Sequence, residues 1–244
     1  MIESLKNLVK ALLGKRGLFL LDRLLVRGHF VRRYGVRFYR MSRFKWVEGF
    51  LLDEEAVQLY RLAVAVPDKD SVVVEIGSWL GKSTIVLGNA LVGKTGATLA
   101  CIDPFDASGD QRSAGRYQSD AKRLNSSIRE AFEKNLNRAG VRRVVEIFQG
   151  YSSQVAERWA KPVDMLFIDG NHAFEAVRDD FLMWSRFVKA GGIVAFHDTY
   201  FEPVEGAESY HAGPGLVIKQ YALPDPTWQR VCHIGSLFVL RKSS

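Results

Sequence analysis

Short apolar runs alternate with longer amphipathic stretches through most of this chain. The runs at 72–76, 97–103, 144–148, 163–169 and 193–197 have strand length. Between them, apolar positions recur every third or fourth residue, which predicts helices over 49–63, 82–91, 121–139, 152–159 and 174–189. In the first of these, Val57, Leu59, Tyr60, Ala63 and Val64 form the apolar face, Asp53 is the expected N-cap and Pro67 ends the pattern. Gly140 closes the third helix, and Gly191-Gly192 is expected to cap the last. After residue 213 the pattern predicts strands at 216–222, 229–233 and 237–241, with Gly235-Ser236 placed for a tight hairpin turn. Strand–helix alternation implies an α/β, doubly wound, mostly parallel sheet with helices on both faces and a C-terminal antiparallel hairpin. Residues 104–120 break the rhythm: they are polar, contain glycine, and read as a mobile lid.

Composition changes the picture at the N-terminus. The chain has 244 residues and a formal charge of +7, and residues 1–45 hold twelve Lys/Arg against Glu3 and Asp22. That segment therefore carries +10 and the rest of the chain −3. Its leucines, spaced by three and four, predict a basic amphipathic helical extension over 1–45 ahead of a domain over 46–244. Arg16, Asp22, Arg23 and Arg27 interrupt each apolar run before membrane-spanning length, and no signal-peptide core is present. Three readings of the extension stay open: a helical cap or homo-oligomer arm, peripheral contact with an anionic membrane, or RNA binding with Tyr34, Phe38, Tyr39, Phe44 and Trp46 as stacking residues. The two cysteines, Cys101 and Cys232, give neither a disulfide framework nor a zinc site, in keeping with a cytoplasmic protein.

The chemistry is concentrated at the carboxyl ends of the predicted strands. Glu75-Ile-Gly-Ser-Trp-Leu-Gly-Lys-Ser83 passes from a strand through two glycines into a helix, the place where such sheets seat a ligand against backbone. Gly81-Lys82-Ser83 looks like the end of a phosphate-binding P-loop, but only three residues separate Gly77 from Gly81 where that loop needs four. The spacing also departs from the G-x-G-x-x-G dinucleotide fingerprint. Asp103, at the next strand end and about 20 residues past the turn, is placed to accept hydrogen bonds from ribose hydroxyls. Trp159, Trp184 and Trp228 read as core residues, and His29, His211 and His233 as structural or surface residues.

The acid-x-Gly-x-x-x-Gly-x-Ser pattern resembles motif I of class I S-adenosylmethionine-dependent methyltransferases. Phe167-Ile-Asp-Gly-Asn-His172 and Gly191-Gly-Ile-Val-Ala-Phe-His-Asp-Thr199 extend the likeness, from about Gly49 onward, to the group that holds the macrocin and mycinamicin sugar O-methyltransferases and the cephalosporin hydroxylase-like proteins. The resemblance implies a seven-stranded Rossmann-like sheet and S-adenosylmethionine as cofactor. It implies that Gly77 and Gly81 let the backbone approach the cofactor, that Ser78, Ser83 and Asp169 also bind it, that Glu75 serves the methionine ammonium, and that Trp79 lines the methionine end. Gly150, Tyr151 and Ser152 would flank the adenine. In metal-dependent members, acids ending the fourth and fifth strands hold Mg²⁺. Asp169 and Asp198 match two of them, and His197 stands where a further acid is expected, which leaves Mg²⁺, another divalent metal, or none. His172 matches the position of a general base. The implied activity is O-methylation of a sugar, glycoconjugate or other small molecule. The alternative is a membrane- or RNA-associated protein, or an RNA methyltransferase, that uses the basic arm.

Overall fold

The computed structural model describes residues 2–109, 113–202 and 212–243. Seven strands form one sheet: β1 (Val72–Ile76), β2 (Thr98–Asp103), β3 (Val145–Gln149), β4 (Val163–Ile168), β5 (Val188–Phe196), β6 (Trp228–Ile234) and β7 (Leu237–Lys242). Their order is β3-β2-β1-β4-β5-β7-β6. The first five are parallel, and β7 runs antiparallel to both β5 and β6. The order reverses between β1 and β4, so a crevice opens there at the carboxyl ends of the strands. Register makes those ends level, with Ile76 beside Ile168 and Ile168 beside Phe196.

The helices are α1 (Ile2–Tyr34), α2 (Asp53–Val64), α3 (Lys82–Leu91), α4 (Ser113–Lys122), α5 (Ile128–Ala139), α6 (Ser152–Ala156), α7 (Phe174–Trp184) and α8 (Ala212–Val217). Alternate residues of the central strands feed two cores. Val73, Leu99, Met165 and Phe167 face the side of α2, α3 and α5. Val74, Ile102, Leu166 and Phe196 face the side of α6 and α7. Every residue of β1 and of β4 is buried, as expected for parallel strands covered on both faces. Trp159, Trp184 and Trp228 lie in the second core. Both cysteines are free.

The extension shares this packing. Phe30, Phe38, Met41 and Phe44 are fully buried in the first core, so the packed body begins well before residue 46. That removes Phe38 and Phe44 as stacking residues for RNA. The anchor is Arg27, which bonds Ser42 Oγ and the Tyr39 carbonyl, each at 3.0 Å, and lies over the rings of Tyr39 and Trp46.

Several expectations are corrected. The stretch expected as a strand at 216–222 is the end of α8 followed by a π-helical turn over Ile218–Ala222. A short apolar run is ambiguous between buried strand and buried helix, and packing against α7 decides for helix. Ser113–Lys122 is helical within the stretch read as a lid. The helix expected from 121 splits because Ser127 and Glu130 form a capping box, with Ser127 Oγ accepting from the Glu130 N–H and the Glu130 carboxylate accepting from the Ser127 N–H. Gly191-Gly192 caps no helix. α7 stops at Trp184 and the glycines lie inside β5, where the pairing with β4 is irregular. Leu52, not Asp53, is the N-cap of α2, and the Leu52 N–H donates to Glu55 Oε2 at 2.9 Å.

Candidate active site

The chain leaves β1 through Gly77, whose φ is +85°. A side chain there would overlap the backbone carbonyl of Asp169, so only glycine lets the β1 and β4 ends approach this closely. Trp79 also has a left-handed backbone, with φ +47°. Asp103 holds this shape: its Oδ2 accepts the N–H groups of Ser78 and Trp79 at 2.9 and 2.8 Å, and its Oδ1 that of Phe105 at 2.6 Å. Burial pushes the Asp103 carboxyl up, against the pull of these three donors. Glu75 lies beneath the turn, fully buried, with Oε2 accepting from Ser78 Oγ at 2.8 Å and Thr84 Oγ1 at 2.5 Å. Burial raises its pKa as well, opposed by the hydroxyls of Ser83, Thr84 and Ser78.

At the other end of the crevice, β5 delivers His197 and Asp198 beside Asp169. His197 is buried and bridges two carboxylates, with Nδ1 3.0 Å from Asp169 Oδ1 and Nε2 3.1 Å from Glu55 Oε2. Burial opposes its protonation, but the charges of Asp169 and Asp198 and the two hydrogen bonds outweigh that and hold it well above the usual imidazole range. Glu55 itself is 1 % exposed. Its Oε1 accepts from Ser236 N–H and Oγ at 2.6 and 2.9 Å, so the β6–β7 turn is tied to α2 and to His197. Burial pushes Glu55 up, yet His197, Leu52 and Ser236 together bring it below the ordinary glutamate range. His172 is buried, with Nε2 3.1 Å from Asp198 Oδ2 and 3.8 Å from Asp169 Oδ1. Asp198 has φ +47°, an uncommon backbone for a non-glycine residue and one that concentrates at functional sites.

These two ends open into one cleft of about 350 Å³. Gly77, Ser78, Trp79, Ser83 and Asp103 line one side, Gly150, Tyr151 and Ser152 another, and Asp169, His197 and Asp198 the far end. Glu75, Gly81 and His172 are not among its lining residues: Glu75 supports the turn from below, Gly81 packs on Phe132, and His172 stands behind Asp198. Both ring nitrogens of His197 face carboxylates, those of Asp169 and Glu55. Among the described residues, Asp169, His172 and Asp198 have ligand atoms all within 4.8 Å of one another. Two carboxylates and one imidazole suit a first-row transition ion better than Mg²⁺.

Sequence reading missed two residues of the site. Glu55, an acid in the first turn of α2, carries no local sign that it meets a histidine 142 positions away. Asp180 lines the cleft from α7, bonds Ser152 Oγ, and has its pKa pushed up to about 7 by burial. Of the remaining histidines, His29 is exposed and His233 Nε2 is 3.3 Å from the Thr199 carbonyl. His211 and Glu208 lie outside the described residues.

The strand order, the glycine turn after β1 and the acids after β4 and β5 define a class I methyltransferase architecture. A family model described as a methyltransferase domain matches residues 74–199, just over half the chain, and the protein belongs to that family. It is a methyltransferase. Among solved structures, it is similar to the O-methyltransferase TomG from Streptomyces achromogenes, crystallised with S-adenosylmethionine, at 19% identity over 80% of this chain and 82% of that one, TM-score 0.56. An O-methyltransferase from Bacillus cereus in complex with S-adenosylhomocysteine aligns over all of both chains at 16% identity, TM-score 0.56. A putative rRNA methylase from Clostridium thermocellum shares the fold at 11% identity over 77% of this chain and 95% of that one, TM-score 0.54.

Proposed function

We propose that this methyltransferase uses S-adenosylmethionine to methylate a hydroxyl of a sugar, glycoconjugate or other small molecule. The observation that carries the reading is the single cleft joining the β1 turn to Asp169 and Asp198. Trp79 would line the methionine end of a cofactor held along the turn. Asp103, a carboxylate held by backbone N–H groups on the wall of the cleft, favours a ligand that brings hydroxyls and positive charge. Gly150, Tyr151 and Ser152 bound the adenine side.

The acceptor sits over Asp169 and Asp198. Its O–H bond breaks as the oxygen forms a bond to the methyl carbon; the carbon–sulfur bond breaks and its electron pair stays on sulfur, leaving S-adenosylhomocysteine. The proton passes to the Asp169–Asp198–His172 group, where His172 Nε2 lies 3.1 Å from Asp198 Oδ2. Alignment of oxygen, methyl and sulfur is the other contribution of the chain. His197 is a positioning residue, clamped between Glu55 and Asp169.

Asp169, His172 and Asp198 would also hold a divalent ion, which when bound acidifies the acceptor hydroxyl. The likeness of Ile168-Asp-Gly-Asn-His172 and its neighbours to sugar O-methyltransferases supports a polyhydroxyl acceptor. The same segment lacks the Pro-Pro-aromatic sequence usual for methylation of base amino groups, which favours oxygen over an RNA base.

Calorimetry with S-adenosylhomocysteine tests the cofactor. Binding in the micromolar range is expected, and refusal of the ligand at millimolar concentration overturns the proposal. Methyl transfer to a panel of hydroxyl acceptors, with and without chelator, then separates the two roles of His172. Chelator-sensitive turnover restored by Mn²⁺ or Zn²⁺ assigns it to the metal, and chelator-resistant turnover assigns it to the proton.

A further inference from the structure

The first 34 residues do not form one straight rod. α1 breaks at Gly14, where φ is +63° and ψ −160°, and Lys6 Nζ meets Asp22 Oδ1 at 2.7 Å. Sixteen residues of continuous helix would separate those two positions by about 24 Å. The two limbs therefore fold back on each other as a helical hairpin, and a side chain at Gly17 would overlap Leu13 across the turn. The second limb is anchored to the body through Arg23, which lies over the Trp46 ring, and through Arg27 and Phe30.

Beyond that anchor the hairpin presents apolar side chains to solvent. Leu12 and Leu13 near the bend are 72 % and 66 % exposed, and Phe19, Leu20 and Leu24 on the second limb are 55 %, 59 % and 62 % exposed. Five large apolar residues exposed within thirteen positions are a patch, not scatter. Exposed cations flank it along the chain: Lys10 on the first limb, and Arg32, Arg33, Arg37 and Arg40 where the second limb joins the body. No described helix is long and apolar enough to cross a membrane, so this patch cannot be a spanning segment.

We propose that the α1 hairpin docks on an anionic lipid surface, with Leu12, Leu13, Leu20 and Leu24 below the headgroups and the arginines and lysines among them. Charge selects this occupant. The hairpin holds eight Lys/Arg against Glu3 and Asp22, a balance of +6, so it repels a second copy of itself and is drawn to anionic headgroups. Nucleic acid fits less well, because leucines do not stack on bases and the neighbouring aromatics are taken: Phe38 and Phe44 are in the core, Arg27 covers Tyr39 and Trp46, and Arg23 lies 4.1 Å over the Phe19 ring. Docked this way, residues 46–244, which carry −3, are held at the membrane by the basic N-terminal segment.

The test is co-sedimentation of the full chain with phosphatidylcholine vesicles, with and without about 30% phosphatidylglycerol. Binding to the anionic vesicles is expected to exceed binding to the neutral ones at least about tenfold and to fall with salt. Leu12→Glu with Leu13→Glu, and Leu20→Glu with Leu24→Glu, should each abolish it. Leu182→Glu, an exposed residue of α7, should leave it unchanged. Because all these positions are solvent-facing, the thermal midpoint should not move. Equal binding to both vesicle types, or binding untouched by the leucine substitutions, overturns the proposal. So does failure to bind anionic vesicles together with either a leucine-dependent dimer in light scattering or leucine-independent retention of RNA.

Discussion

At the β1–β2 end of the cleft, Glu75 and Asp103 are held by neutral donors, the hydroxyls of Ser78 and Thr84 and the N–H groups of Ser78, Trp79 and Phe105. At the β4–β5 end, Glu55, Asp169 and Asp198 are held by imidazoles: His197 bridges Glu55 and Asp169, and His172 meets Asp198. Both ends bury carboxylates, and the compensation differs. Dipoles fix a carboxylate in place while leaving its negative potential toward the cleft. An imidazolium cancels that potential and fixes geometry through a second bond. The first arrangement suits a cationic cofactor. The second suits a neutral acceptor that must lose a proton.

The sharpest way to break the contrast is Glu55→Ala. It leaves the buried His197 with one partner fewer and the Ser236 N–H without an acceptor, so a loss of about 3–5 kcal/mol in urea unfolding is expected. A loss below about 1 kcal/mol would show that His197 is neutral and the bridge weak. Next comes Asp198→Asn, expected to slow methyl transfer by about 10³-fold while S-adenosylhomocysteine affinity stays within about threefold, since Asp198 belongs to the acceptor end. Equal loss of affinity would erase the division between the two ends.

Asp180 sharpens the comparison through pH. Its pKa is about 7 when folded, raised by burial from an ordinary 3.8. The folded state therefore holds this proton while the unfolded state has lost it. The stability linked to that proton is intact below about pH 4 and disappears as pH rises toward about 7, at up to about 1.4 kcal/mol per pH unit. Asp180→Asn should keep the Ser152 contact and flatten the thermal midpoint across that window. An unchanged pH profile would mean that Asp180 is ionised in the folded protein. The smallest effect is expected for Asp103→Ala, which takes the acceptor from the Ser78, Trp79 and Phe105 N–H groups and should weaken S-adenosylhomocysteine about tenfold in calorimetry. Unaltered affinity would leave Asp103 as a purely structural clasp.

Much of the fold was legible because periodicity depends on neighbours in sequence. The five parallel strands, the hairpin turn at Gly235-Ser236 and the glycine turn after β1 all follow from local pattern and from the conformations that glycine permits. The misses are local too. Val217 and Ile218 pack as helix because α7 lies against them, and Gly191-Gly192 stays in β5 because β4 pairs beside it.

Residue types alone placed acids and histidines at the strand ends, and with them the chemistry this chain is able to carry. They did not assign roles to the two histidines. His197 and His172 look interchangeable along the chain, one beside Asp198 and one three residues after Asp169. Only folding brings Glu55 from α2, itself held by Ser236 of the β6–β7 turn, and Asp169 from the end of β4 against His197, occupying both of its nitrogens and leaving His172 to complete the group with Asp169 and Asp198. A hydrogen-bond partner 142 positions away leaves no trace in local pattern, because it is set by which strands pair and which helix covers them.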